Sequence, residues 1–163
     1  MAKRIAVKVT RRQRRRAAYH EAGHAVICRA RGCALRRMTI VPEGDTIGYT
    51  VAGTRGRGRR ADRKRVAIAL GGVVAETMAY GRLSDDDIDG ARTDLANAHR
   101  LFRRLGFKKR PAMKRECDRL CFRICDELEA RWPAVEAIAS ELLEREHFSG
   151  KEARRIIREA LAA

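Results

Sequence analysis

Between Thr10 and Gly32 the chain has no proline and carries a cap signal at each end, which commits this stretch to one long helix. Thr10 stands three residues before Gln13 in the T-x-x-Q form of a capping box, in which each side chain accepts from the other residue's backbone N–H. Gly32 occupies the C′ position, where a left-handed residue ends a helix. The helix is therefore predicted over Arg11 to Arg31. Further along, Arg37-Met-Thr-Ile-Val-Pro42 and Thr46-Ile-Gly-Tyr-Thr-Val51 are β-rich runs separated by the turn-forming Glu43-Gly-Asp45, the pattern of a hairpin. The Gly/Arg stretch from Gly53 to Arg60 reads as a flexible basic loop.

A second helix is predicted from Ala61 to Tyr80, stopped by Gly81. Its Gly71-Gly72 pair costs about 1 kcal/mol of helix propensity per glycine, a cost that close approach of a neighbouring helix or backbone would offset. An acidic loop, Ser84 to Asp89, leads to a third helix from Gly90 to Leu105, ended by Gly106. Two more helices use Pro111 and Pro133 in their first turns. The last opens at Ser149, which forms a second capping box with Glu152. The fold class that follows is mainly α (α+β), a multi-helix domain with a small β-hairpin or sheet beside the first helix. With 163 residues, 45% of them hydrophobic, and no internal repeat or linker, the chain divides into a basic arm, 1–10, and one domain, 11–163.

Composition excludes several classes. The longest uncharged apolar stretch, Val66 to Ala75, is far short of the ~20 residues that a membrane span needs. The basic N-terminus lacks the apolar segment of a signal peptide, so the expected location is cytoplasmic. Five cysteines without a C-x-x-C pair read as reduced thiols packed as small apolar residues. No G-x-x-x-x-G-K-[ST] stretch is present, so no ATP site is expected. A formal charge of +16 invites a nucleic-acid partner, and the bases gather at Lys3 to Arg16, Arg55 to Arg65 and Arg100 to Arg115. Only 5% of residues are aromatic, which leaves the stacking platforms of single-strand binders poorly supplied.

Chemistry enters at His20-Glu21-Ala-Gly-His24, an H-E-x-x-H on a predicted helix. Residues i and i+4 lie one above the other, so both imidazoles can reach one Zn²⁺ at about 2.0–2.1 Å. Glu21, one step round the helix, can contact a water in the fourth position and take its proton during attack on a peptide carbonyl. A third protein ligand is needed. The extended motif with a third histidine fails, because Ile27 and Arg31 stand where Gly and His would be. His99 and His147 lack supporting motifs. The carboxylates that remain are Glu76, Asp85, Asp86, Asp87, Asp89 and Asp94, and spacing alone does not choose among them.

Ala18-Tyr-His-Glu-Ala-Gly-His-Ala-Val26 resembles the zinc-peptidase signature of the FtsH-type ATP-dependent proteases. Met38-Thr-Ile-Val-Pro42 with Ile47-Gly-Tyr-Thr50 is similar to that family's strand pair. Leu70-Gly-Gly-Val-Val-Ala-Glu76 resembles its glycine-pair helix, Gly90-Ala-Arg-Thr-Asp-Leu95 its G-A-x-x-D-L segment, and Glu141 to Gly150 its C-terminal helix and turn. The resemblance runs in order from about Arg11 to Leu161. It implies a zinc metalloendopeptidase that acts on unfolded proteins or peptides, with one Zn²⁺ held by His20, His24 and Asp94 and with Glu21 as general base. It also implies Glu76 as a residue that orients a ligand or tunes the site, and an edge strand, Ile47 to Ala52, that holds substrate by strand addition through Ile47, Gly48, Tyr49 and Thr50. Members of the family also carry an ATPase module and membrane spans. This sequence reads as a stand-alone peptidase domain with neither, and a separate ATPase is a candidate partner. The alternative is a basic nucleic-acid-associated or adaptor protein that keeps a peptidase-like zinc fold.

Overall fold

In the computed structural model, which describes residues 9–43, 47–81 and 88–163, Thr10 accepts from the Gln13 backbone N–H at 3.1 Å. The Gln13 side chain returns the bond to the Thr10 N–H at 2.9 Å. Helix α1 then runs from Arg11 to Ala30, with Arg31 as its C-cap and Gly32 at φ +64°. Its second half, Ala18 and His20 to Cys28, is buried on all sides. Helix α2 (Arg59–Tyr80) and helix α5 (Trp132–Arg145) pack against it, and a small sheet closes a further side.

The crossing of α1 and α2 explains the glycine pair. A Cβ on Gly23 would stand 2.3 Å from the Gly71 carbonyl oxygen, so the helix backbones meet where neither residue has a side chain. Helix α3 (Ile88–Arg104) lies against α2, and helix α4 (Arg110–Glu129) starts with Pro111 in its first turn. Helix α6 (Gly150–Ala160) opens with the Ser149–Glu152 capping box and packs beside the sheet. Leu70, Ile124, Leu128, Ile138 and Leu142 form the centre of a single core shared by the helices, each contributing roughly 1.5–3 kcal/mol through burial.

The sheet holds β1 (Ala34–Thr39), β2 (Tyr49–Gly53) and β3 (His147–Ser149) in the order β2-β1-β3, all antiparallel. Met38 faces Thr50 on one side and Phe148 on the other. The structure differs from the sequence readings in four places. The hairpin strands lie at 34–39 and 49–53 rather than 37–42 and 46–51, because register follows the partner strand and shifts between Leu35 and Arg37. The stretch read as a loop from Gly53 to Arg60 gives Gly53 to β2 and Arg59 and Arg60 to α2. The strand β3 was not foreseen, since it has three residues and the last, Ser149, is also the cap of α6. Helix α3 begins two residues before the predicted Gly90.

All five cysteines are free, with Cys28 and Cys33 buried. Among the described residues no helix is long and apolar enough to cross a membrane. The basic arm up to residue 8, residues 44–46 between the two expected hairpin strands, and the acidic stretch 82–87, with Asp85, Asp86 and Asp87, lie outside the described residues.

Candidate metal centre

Helical spacing puts His20 and His24 on the same face of α1, with ring centroids 4.6 Å apart and the planes nearly perpendicular. Asp94, carried on α3, brings one oxygen between them. Its Oδ2 lies 2.8 Å from His20 Nε2 and 3.0 Å from His24 Nε2. The opposite ring nitrogens are both engaged. His20 Nδ1 is 3.0 Å from Glu76 Oε2, and His24 Nδ1 is 2.7 Å from the Ile68 carbonyl oxygen. A carbonyl or an ionised carboxylate can only accept, so each Nδ1 carries the proton. In the neutral form that a metal ion would bind, the lone pair of each ring would then sit on Nε2 and point at the common centre.

Glu76 is buried on α2 and shared. While Oε2 accepts from His20, Oε1 accepts from the buried Arg16 Nε at 2.8 Å. The sequence expectation for Glu76 was a place behind a ligand, and the structure puts it against the far side of the His20 ring. The Ile68 carbonyl was not foreseen, because a backbone acceptor leaves no mark in a sequence. Gly72, one turn further along α2, is the nearest signal. A Cβ there would stand 2.6 Å from His24 Nε2 and 2.8 Å from His20 Nε2, so only glycine leaves the two rings their room.

The three groups shift one another's protonation strongly. Burial pulls His20 toward the neutral form, but hydrogen bonds to Asp94 and Glu76 outweigh it and push the pKa up to about 10. Burial opposes the charged form of His24 as well, and the Asp94 carboxylate overcomes it to raise that pKa. Burial would lift Asp94, yet the two histidines hold it well below the usual carboxylate range. Two imidazole nitrogens and one carboxylate oxygen aimed at a single point form a donor set of the kind zinc takes. The residues present fit that ion.

Glu21 belongs to the same cluster. Its carboxylate and the two ring nitrogens lie within 4.8 Å of one another. The Thr50 hydroxyl donates to Glu21 Oε2 at 2.6 Å, which ties the buried carboxylate to β2. Gly48 makes that approach possible, because a Cβ there would meet the Thr39 carbonyl oxygen at 2.7 Å and Glu21 Cγ at 3.3 Å. The contact of Thr50 with Glu21 was not read from the sequence, which named Thr50 only as part of the strand.

These residues open into a cleft of about 670 Å³, lined by His20, Glu21, His24 and Asp94 together with Gly48, Tyr49 and Thr50 of the β2 edge and Arg65, Arg100 and Arg104 of the facing helices. Ile47 precedes this edge and is not part of the lining. Among the described residues, His147 lies exposed on β3 and His99 exposed on α3, both outside the cleft.

The family model described as Peptidase family M41 matches residues 7–108. The chain is 35% identical over 113 residues to the ATP-dependent zinc metalloprotease FtsH 2 of Sphaerobacter thermophilus, a match that covers 66% of this chain and 17% of that protein. It is 36% identical over 113 residues to the ATP-dependent zinc metalloprotease FtsH 1 of Sorangium cellulosum, covering 63% and 18%. It is 36% identical over 105 residues to the ATP-dependent zinc metalloprotease FtsH of Thermus thermophilus, covering 58% and 15%. The matched segment is thus less than a fifth of the length of each of these curated relatives.

Proposed function

The chain belongs to peptidase family M41, and on that premise we propose that it is a zinc-dependent metalloendopeptidase that hydrolyses peptide bonds in unfolded proteins or peptides. His20, His24 and Asp94 hold the ion and Glu21 is the general base. The observation that carries this reading is the convergence of both Nε2 atoms on Asp94 Oδ2, at 2.8 and 3.0 Å, while both Nδ1 atoms are tied to acceptors behind them. When bound, zinc supplies a Lewis acid for the scissile carbonyl and makes the attacking water more acidic.

The protein's own residues perform the remaining tasks. Glu76, with Arg16 on its other oxygen, keeps the His20 proton on Nδ1, and the Ile68 carbonyl does the same for His24. Glu21 accepts the proton of the attacking water and returns it to the leaving amine. The Thr50 hydroxyl on Oε2 sets the orientation of that carboxylate. The edge of β2, with Tyr49 and Thr50 and with Gly48 just before the strand, offers backbone groups to an extended substrate, which would add as a further strand. The relatives are named ATP-dependent, whereas this sequence has no phosphate-loop motif. A separate ATPase that unfolds and delivers substrate would supply that dependence, and cleavage of an already unfolded chain would need no ATP.

The test compares zinc-loaded wild type with Glu21→Gln on labelled, unfolded casein, with and without ATP. Wild type should cut. Glu21→Gln should keep its zinc and lose roughly a hundred- to ten-thousand-fold in rate, since it keeps size and polarity but not basicity. ATP should change neither. Equal cleavage by the two proteins would remove Glu21, and this helix with it, from the reaction.

A further inference from the structure

We propose that the cleft selects substrate segments with Asp or Glu side chains near the scissile bond, read by a wall of three arginines on α2 and α3. The inference rests on the peptidase reading and names the substrate class for that same site.

Arg65, Arg100 and Arg104 line the same cleft as the histidine pair. Two of them are set by one buried acid. Asp62, only 3% exposed, accepts from Arg65 Nη1 at 3.0 Å and pairs with Arg104 Nε at 3.3 Å. Arg65 Nη2 donates in addition to the Gly56 carbonyl at 3.0 Å. Arg100 donates to the Asn97 side-chain oxygen. A guanidinium has five N–H donors, so each of the three keeps donors beyond those its anchor occupies.

The charge balance decides what the wall attracts. Among the described residues the carboxylates that line the cleft are Glu21 and Asp94. These two offset the double charge of one zinc ion, and neutral histidines add nothing. Glu76 is matched by Arg16 on its far side. Among the described residues only one of the three guanidiniums is offset, by Asp62. The described residues thus give the cleft, which the β2 edge also lines, a net positive wall. A substrate strand presents side chains alternately to its two faces, so every second one meets either this wall or the opposite side. Carboxylates match the planar, two-donor geometry of guanidinium, and a concave site focuses the attraction.

The experiment uses zinc-loaded Glu21→Gln, in which a bound peptide is not consumed. Three fluorescein-labelled peptides, identical except for Glu, Gln or Lys at alternate positions, are titrated by anisotropy at one ionic strength. Glu peptide should bind tighter than Gln peptide by roughly fivefold for each carboxylate engaged, and Lys peptide weakest. Adding Arg100→Gln, which leaves the Asp62 bridge intact, should cut the Glu preference several-fold, and Arg100→Gln with Arg104→Gln should cut it further, the charge lost with Glu21 being the same in every arm. A control pair on the exposed face of α4, Arg119→Gln with Arg123→Gln, should leave the preference in place. If the control pair removes it as fully as the cleft pair, bulk positive charge is the cause and the proposal falls. Cleavage by zinc-loaded wild type separates the two levels of the account. Equal kcat/KM on all three peptides would overturn the acidic preference while the peptidase reading stood. Selective binding without cleavage of any peptide would overturn the peptidase reading and leave an acid-selective cleft.

Discussion

The imidazoles of His20 and His24 sit side by side because residue 72 has no side chain to displace them. Gly72→Ala therefore gives a sharp test at the residue scale. Alanine favours the helix by up to about 1 kcal/mol, so helical circular dichroism should be retained or increase slightly. The added methyl, 2.6 Å from His24 Nε2, should push the rings off the common centre and weaken zinc binding at least tenfold in a chelator competition. Unchanged zinc affinity would mean that the rings do not bind the ion from this position. The motif residues His20, Glu21 and His24 were legible in the sequence, because i and i+4 on a helix fix a shared face without any tertiary information. Spacing alone did not single out Asp94, which lies 74 positions from His20 and follows several other acids; the family resemblance named it, and the packing of α3 against α2 brings its carboxylate beside His20. Thr50 and the Ile68 carbonyl stayed hidden for the same reason, being contacts between elements rather than within one.

Among elements, the crossing of α1 and α2 sets the geometry of the whole cleft. Their backbones meet at Gly23 and Gly71, where a Cβ on Gly23 would also lie 2.5 Å from that of Ala75. Gly23→Ala should force the helices apart and cost about 1–3 kcal/mol or more, read as a lower urea midpoint with an unchanged slope. A substitution that left the midpoint unchanged would contradict the close crossing. Both capping boxes were legible because they are closed by hydrogen bonds three residues apart. The glycine pair announced a close approach but not its partner. Strand limits shifted because a strand is bounded by what it pairs with, and the irregularity between Leu35 and Arg37 lies in that pairing. The strand β3 was invisible at three residues, with Ser149 serving both the sheet and the cap of α6.

At the scale of the whole molecule, a net charge of +16 could be spread evenly or put to use at one place. Three of its arginines line the cleft beside the β2 edge, while the cleft's own acids are engaged by the histidine pair and Thr50. The chain as a whole thus arranges one buried helix, one glycine-lined crossing and one strand edge around the proposed metal position. Its occupancy is the most direct test of the account. The purified protein, reconstituted with zinc and freed of excess metal, should hold about one Zn²⁺ per chain by elemental analysis. Asp94→Ala should hold far less at the same free zinc. A wild-type stoichiometry near zero, or one that survives replacement of both His20 and His24 by alanine, would contradict it.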